Sequence, residues 1–235
     1  MNSVFRHLIA ASVALAVAPA AAAEKRFGLT SFDTIDVQAD VIVEVTARAP
    51  VGAIADGPRD ALDRLSIEAR DGRLVIRESR FVGDERRTAP RGPVTIRVNA
   101  ANLRAASLAG AGSLRIDRLK GARIRITLQG PGRLTVDAID GDRLSVAMMG
   151  NGMMTLGGKA KRAEMMLSGA GAVDAGRLAV DALASESEGT GDHRFHAVKT
   201  ATITARGIGT TVVLGRPVCT VRNVGSGTVT CGTAK

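Results

Sequence analysis

Apolar residues recur at fixed offsets around a Gly-x-Gly tripeptide that itself recurs seven times. The copies are Gly110-Ala111-Gly112, Gly130-Pro131-Gly132, Gly150-Asn151-Gly152, Gly169-Ala170-Gly171, Gly189-Thr190-Gly191, Gly207-Ile208-Gly209 and Gly225-Ser226-Gly227, at steps of 20, 20, 19, 20, 18 and 18 residues. Four residues after the second glycine stand Ile116, Val136, Leu156, Ala175, Phe195, Val213 and Cys231. Two after it stand Leu114, Leu134, Met154, Val173, His193, Thr211 and Val229. The positions two and four before the first glycine are also mostly apolar, and arginines and acids fill many of the places between. Period-two alternation is the mark of strands with one buried face. Glycine tolerates positive φ and close backbone approach, so each tripeptide reads as a corner between two such strands.

A nearly constant period of this length marks a repeat architecture in which each unit buries its apolar face against its neighbours. The predicted class is all-β: a parallel β-helix or related β-solenoid over residues 102–235, with seven rungs making a column of roughly 30 Å. Each repeat reads as strand, corner, strand and short polar connection. An antiparallel meander is the rival, but meanders rarely keep so even a period. The pattern leaves open whether one coil takes one repeat or two. The fifth and sixth repeats are degenerate, with Ser185, Ser187, His193 and Thr211 at inward positions. There the core thins, or the hydroxyls bond to backbone.

Residues 24–101 form a β-rich segment of the same domain, without Gly-x-Gly. Strands are predicted around 32–37 and 41–45, a short helix over 59–65, and a hairpin at Asp71-Gly72 between two alternating runs. The charged stretch 83–92 reads as an exposed, mobile loop, and 93–99 returns to strand. Residues 1–23 carry Arg6, an apolar run over 8–18 and a small-residue site at Ala21-Ala22-Ala23. This pattern reads as a secretory signal peptide, so the expected location is the periplasm, cell surface or exterior. No later stretch is long and apolar enough to span a bilayer as a helix.

Charge and composition then narrow the functional classes. The net charge is +9, and the chain has no Trp, no Tyr and five Phe. Export argues against nucleic acid as partner, and the lack of rings argues against base stacking and aromatic sugar platforms. Anionic envelope or glycan surfaces suit the excess charge. A merely basic, solvated surface explains it equally well. Arg115, Arg123, Arg125, Arg133 and Arg143 fall at outward positions and form a candidate basic strip, the alternative being ordinary surface solubility. Homo-oligomerisation is left open.

Candidate chemistry is sparse. Asp117 and Asp137 are equivalent in successive repeats, and Asp33, Asp36 and Asp40 cluster near the start. Stacked carboxylates are able to hold Ca²⁺ or act as acid and base, but the pattern stops after two rungs. His193 and His196 lack further ligands at metal spacing. No P-loop, Gly-x-Ser-x-Gly or His-Glu-x-x-His is present, so neither cofactor nor metal is expected. Cys219 and Cys231, the only cysteines, share inward parity on either side of the last corner. They read as a disulfide closing the C-terminal end, or as two buried thiols.

The Phe32-x-x-Ile35-x-Val37 entry, the Asp71-Gly72-x-Leu74-x-Ile76 hairpin, the corner ladder and Leu214-Gly215-Arg216-Pro217 together resemble one family of exported bacterial proteins. It is the putative auto-transporter adhesin, head GIN domain family, and the resemblance covers roughly residues 27–232. It implies a β-helix with Gly-Ser-Gly turns, related to pectin-lyase-like folds but without obvious catalytic residues, and a proposed role in adhesion. Most corners here lack the family's serine, so no role attaches to corner serines. The resulting expectation is a non-enzymatic, adhesion-like binding module of the cell envelope. The alternative is a polysaccharide-active enzyme on acidic glycans.

Overall fold

The computed structural model describes residues 23–48, 50–78 and 92–233. The signal-peptide reading of residues 1–23, save Ala23, and most of the loop at 83–92 lie outside the described residues. The architecture is nearly all-β, with 74% strand and 2% helix among the described residues. In order come β1 (Ala23–Phe27), β2 (Thr34–Gln38), β3 (Ile42–Thr46), β4 (Gly52–Gly57), a single helical turn α1 (Arg59–Leu62), β5 (Leu65–Arg70) and β6 (Arg73–Glu78). Then follow β7 (Thr95–Asn99), β8 (Ala105–Ala109), β9 (Ser113–Gln129), β10 (Arg133–Gly150), β11 (Met153–Gly169), β12 (Ala172–Gly189) and β13 (His193–Gly207). The last three are β14 (Thr210–Leu214), β15 (Val218–Val224) and β16 (Thr228–Thr233).

These strands wind into a β-solenoid of about 6 turns preceded by N-terminal strands. One repeat makes one coil. Leu114 pairs in parallel with Leu134, Leu134 with Met154, Met154 with Val173 and Val173 with His193. On the opposite face Ile126 pairs with Val146, Val146 with Met165 and Met165 with Ser185. Each long strand therefore serves two faces, bending midway, and the inward residues of both faces meet in one continuous core. The expected polar connection is instead this bend. It stays paired, Leu119 to Ile139 and Ile139 to Gly158, and Leu119 and Ile139 are buried. The alternation shifts phase between Ile116 and Leu119, which turns the strand while keeping an apolar residue inside.

The corner needs its two glycines for different reasons. Gly130 has φ 96°, a conformation that L side chains rarely adopt. A Cβ on Gly132 would stand 2.7 Å from the Gly110 carbonyl oxygen of the preceding corner. The first glycine turns the chain and the second lets corners stack. The middle residue faces outward, which is why Ala, Pro, Asn, Thr, Ile and Ser all occur there.

The N-terminal segment continues both faces. β2 and β3 pair in parallel with β8 and β9 on one side and with β6 and β7 on the other. Ala39-Asp40 makes the corner of this rung, and Asp40 Oδ1 accepts from the Ala111 N–H at 2.7 Å. Beyond it, antiparallel pairs end the parallel ladders: β1 with β4, β4 with β7, and β5 with β6. The β5–β6 turn has both Asp71 and Gly72 at positive φ, as a two-residue type I′ turn requires. The helix stops at Leu62, whose side chain is buried against this cap, and Leu65 already begins β5. At the other end β15 and β16 are outermost. Cys219 stacks on Ala201 and Cys231 on Val213, and the two cysteines are bonded, joining the two faces across the terminal coil.

Candidate anion-binding face

Parallel pairing with a constant repeat copies a side chain's position from rung to rung. On the face formed by the second halves of the long strands, Arg123 is paired with Arg143, and Arg143 with Arg162. The result is a row of three guanidinium-bearing positions running along the column axis at the ~4.8 Å strand spacing. Arg125 flanks it in the adjacent row, which reads Arg73, Thr34, Ala105, Arg125, Ser145 and Glu164. Together with Arg104 these residues border one shallow depression of about 830 Å³, with Ser107, Thr127 and Ser145 among the small residues lining it. Short outward side chains between long ones make the hollow.

Register sets this row apart. Several cations of the coils find a carboxylate one rung away: Lys161 with Asp142 at 2.7 Å, Lys199 with Asp181 at 2.8 Å, Arg115 with Asp137 at 2.9 Å, and Arg206 with Glu186. Others, such as Arg118, Arg133 and Arg177, form no ion pair among the described residues but do not stack on one another. The Asp142 contact also raises the Lys161 pKa, through its hydrogen bond first and its charge second. Arg123, Arg125, Arg143 and Arg162 form no ion pair among the described residues. Arg104 and Arg73 are engaged by Asp33 and Asp36, at 2.7 and 3.8 Å. The four unpaired arginines carry the field of the depression, offset in part by Glu164 at its rim.

The five arginines of the sequence reading are thus divided. Arg123, Arg125 and Arg143 come together, whereas Arg115 and Arg133 stand on the other face, in the first halves of β9 and β10. Arg162, Arg73 and Arg104 are additions. Arg162 is visible in the period, nineteen residues after Arg143. Arg73 is not, because β6 joins the face through a crossover outside the repeats.

The aspartates do structural work. Both Asp117 carboxylate oxygens accept from the Ala47 N–H at 2.9 Å, and Asp137 holds Arg115. Asp33, Asp36 and Asp40 bind Arg104, Gln38 and the Ala111 N–H. Among the described residues, no group of three His, Cys, Asp or Glu side chains converges as metal ligands. His193 lies inside the core at 7% exposure, its ring stacked on Phe195 at 6.1 Å. Burial pushes its pKa down to about 4, against a weaker pull upward from Asp192. Its Nδ1 and the Ser185 hydroxyl are buried without hydrogen-bond partners. The expected hydroxyl-to-backbone bond is therefore not made at Ser185. His196 is half-buried on the same strand, one residue beyond Phe195.

Fold and face define a class: a two-faced β-solenoid whose conspicuous surface feature is a strip of unpaired arginine. More narrowly, the chain belongs to the putative auto-transporter adhesin, head GIN domain family, whose model matches residues 31–217. Solved structures share the fold. A putative adhesin from Bacteroides fragilis superposes with a TM-score of 0.80 at 21% identity, covering 89% of this chain and 96% of its own. A putative lipid binding protein from Parabacteroides distasonis gives 0.69 at 17%, with coverage of 89% and 96%. A putative adhesin from Parabacteroides merdae gives 0.68 at 17%, with coverage of 88% and 95%. No curated protein matches the chain. Among the described residues no helix is long and apolar enough to cross a membrane.

Proposed function

We propose that this protein is an exported, non-enzymatic binding module of the cell envelope that engages anionic surfaces through the arginine depression. The observation that carries the reading is the row Arg123, Arg143 and Arg162, three like charges in register without a carboxylate partner. Like charges directly opposed on neighbouring strands are destabilising. A fold that stacks three such charges in register, with no acid between them, keeps a site for an external anion. Family membership and the putative adhesin names of the relatives support a surface role. The signal-peptide pattern of residues 1–23 supports export. The engaged aspartates weigh against an acid–base pair for glycan cleavage.

The test is co-sedimentation of the purified protein with anionic and neutral vesicles, and with acidic and neutral polysaccharide, at low and high salt. Binding to at least one anionic probe, weakening steeply with salt, is expected. Equal binding to neutral and anionic probes overturns the proposal, as does depolymerisation of the acidic polysaccharide.

A further inference from the structure

The geometry points to a linear acidic polysaccharide, lying along the solenoid axis in the depression, as the ligand of the arginine face. This inference rests on the anion-binding reading and sharpens it. The row is straight because parallel pairing in register stacks equivalent Cα positions: Arg123 on Arg143 on Arg162. It covers two rung steps, roughly 10 Å. A polymer carrying one carboxylate or sulfate on each successive sugar presents charges along a line. A free phosphate or a single headgroup presents one cluster and uses one or two of the arginines.

The lining of the depression fits the rest of such a chain. Thr34, Ser107, Thr127 and Ser145 place hydroxyls beside the guanidinium row. Hydroxyls both donate and accept, which matches sugar hydroxyls. The arginine fork binds a carboxylate or sulfate through two parallel N–H donors. Aromatic platforms for neutral sugars are lacking, since the chain has no Trp or Tyr, so recognition has to run through charge and hydroxyl contact.

A membrane is the less suitable partner. Interfacial binding adds apolar burial to the attraction for anionic lipid. The depression is concave, and its outward side chains are arginines, hydroxyls, alanine and the rim carboxylate of Glu164. Of the large exposed apolar residues, Ile208, Val218, Val221 and Val224 lie at or beyond the sixth corner, while Met149 and Met166 stand on the face of the row but outside the lining of the depression.

The experiment measures binding of the purified protein to galacturonate monomer, to oligogalacturonates of increasing length, and to phosphatidylglycerol vesicles. Affinity should rise about tenfold or more from monomer to a chain long enough to span the row, because later charges bind intramolecularly. It should then level off. Arg143→Gln should lower oligomer affinity roughly tenfold, the loss expected for one charged hydrogen-bonding partner. Arg133→Gln, on the other face, should not change it, and matched thermal midpoints check that both variants fold. Arg143→Lys should recover only part of the loss. Affinity independent of chain length overturns the polymer assignment. Vesicle binding without oligomer binding also overturns it, while leaving the anion reading intact. Failure of all three probes sinks both.

Discussion

Arg123 and Arg143 stand directly opposite each other on neighbouring parallel strands, and neither has a carboxylate partner among the described residues. Their repulsion is a cost the fold carries. Replacing Arg143 by Thr, a good strand residue, removes two such contacts, with Arg123 and with Arg162. We expect a gain of about 0.5 kcal/mol, a rise of roughly 1–2 °C in Tm. The gain should shrink in high salt, where exposed charges are screened. Thermal unfolding at two ionic strengths checks this. A Tm that falls at low salt would show that the row is not under strain of charge.

The corner glycines predict an asymmetric sensitivity. A Cβ at Gly132 meets two backbone carbonyl oxygens, those of Gly110 at 2.7 Å and Gly112 at 2.9 Å. Backbone has no rotamer with which to move aside. Gly132→Ala should therefore lose about 2–3 kcal/mol, read as a shift in the urea midpoint. Asn151→Ala, at an exposed middle position, should stay within about 0.5 kcal/mol of wild type.

The Cys219–Cys231 bond joins β15 on one face to β16 on the other. Among the described residues no further coil covers these strands, and β15 is exposed along its whole length. Changing both cysteines to serine should destabilise the end by about 2–3 kcal/mol. Hydrogen exchange should then show the loss confined to β14–β16, with β9–β11 keeping their protection. Uniform loss across the column would mean that the coils unfold as one unit.

His193 gives the protein an acid-sensitive segment. Its folded pKa of about 4 lies below its ordinary value of 6.5. The unfolded chain therefore binds the proton first as pH falls. Stability from this site is complete above about pH 6.5 and declines from there through pH 4, by roughly 2 kcal/mol at pH 4.5. Val173 occupies the same register position one rung earlier. His193→Val should accordingly flatten the difference between urea midpoints at pH 7 and pH 4.5. A variant as acid-sensitive as wild type would assign the slope to other groups.

The alternation of Leu114 and Ile116 with polar neighbours, repeated at a fixed step, was enough to establish strands, corners and a solenoid. Backbone chemistry reaches the sequence directly there: side chains alternate with period two, and only glycine fits a corner that stacks on another. The same step contains the row Arg123, Arg143 and Arg162, since equal spacing along the chain becomes a straight line once coils are in register. Register itself was not legible. Whether one coil takes one repeat or two decides which residues are neighbours, and only the pairing of Leu114 with Leu134 settles it. That pairing sent Arg115 and Arg133 to the opposite face from Arg123. It also made the expected polar connection a paired bend holding Leu119 and Ile139 inside. Arg73 reached the depression through β6, whose place beside β2 comes from a crossover with no periodic signal. Local patterns report what each residue's own backbone needs. Which charges share a surface, and which lack partners, depends on contacts between residues distant in the chain, and those exist only in the folded column.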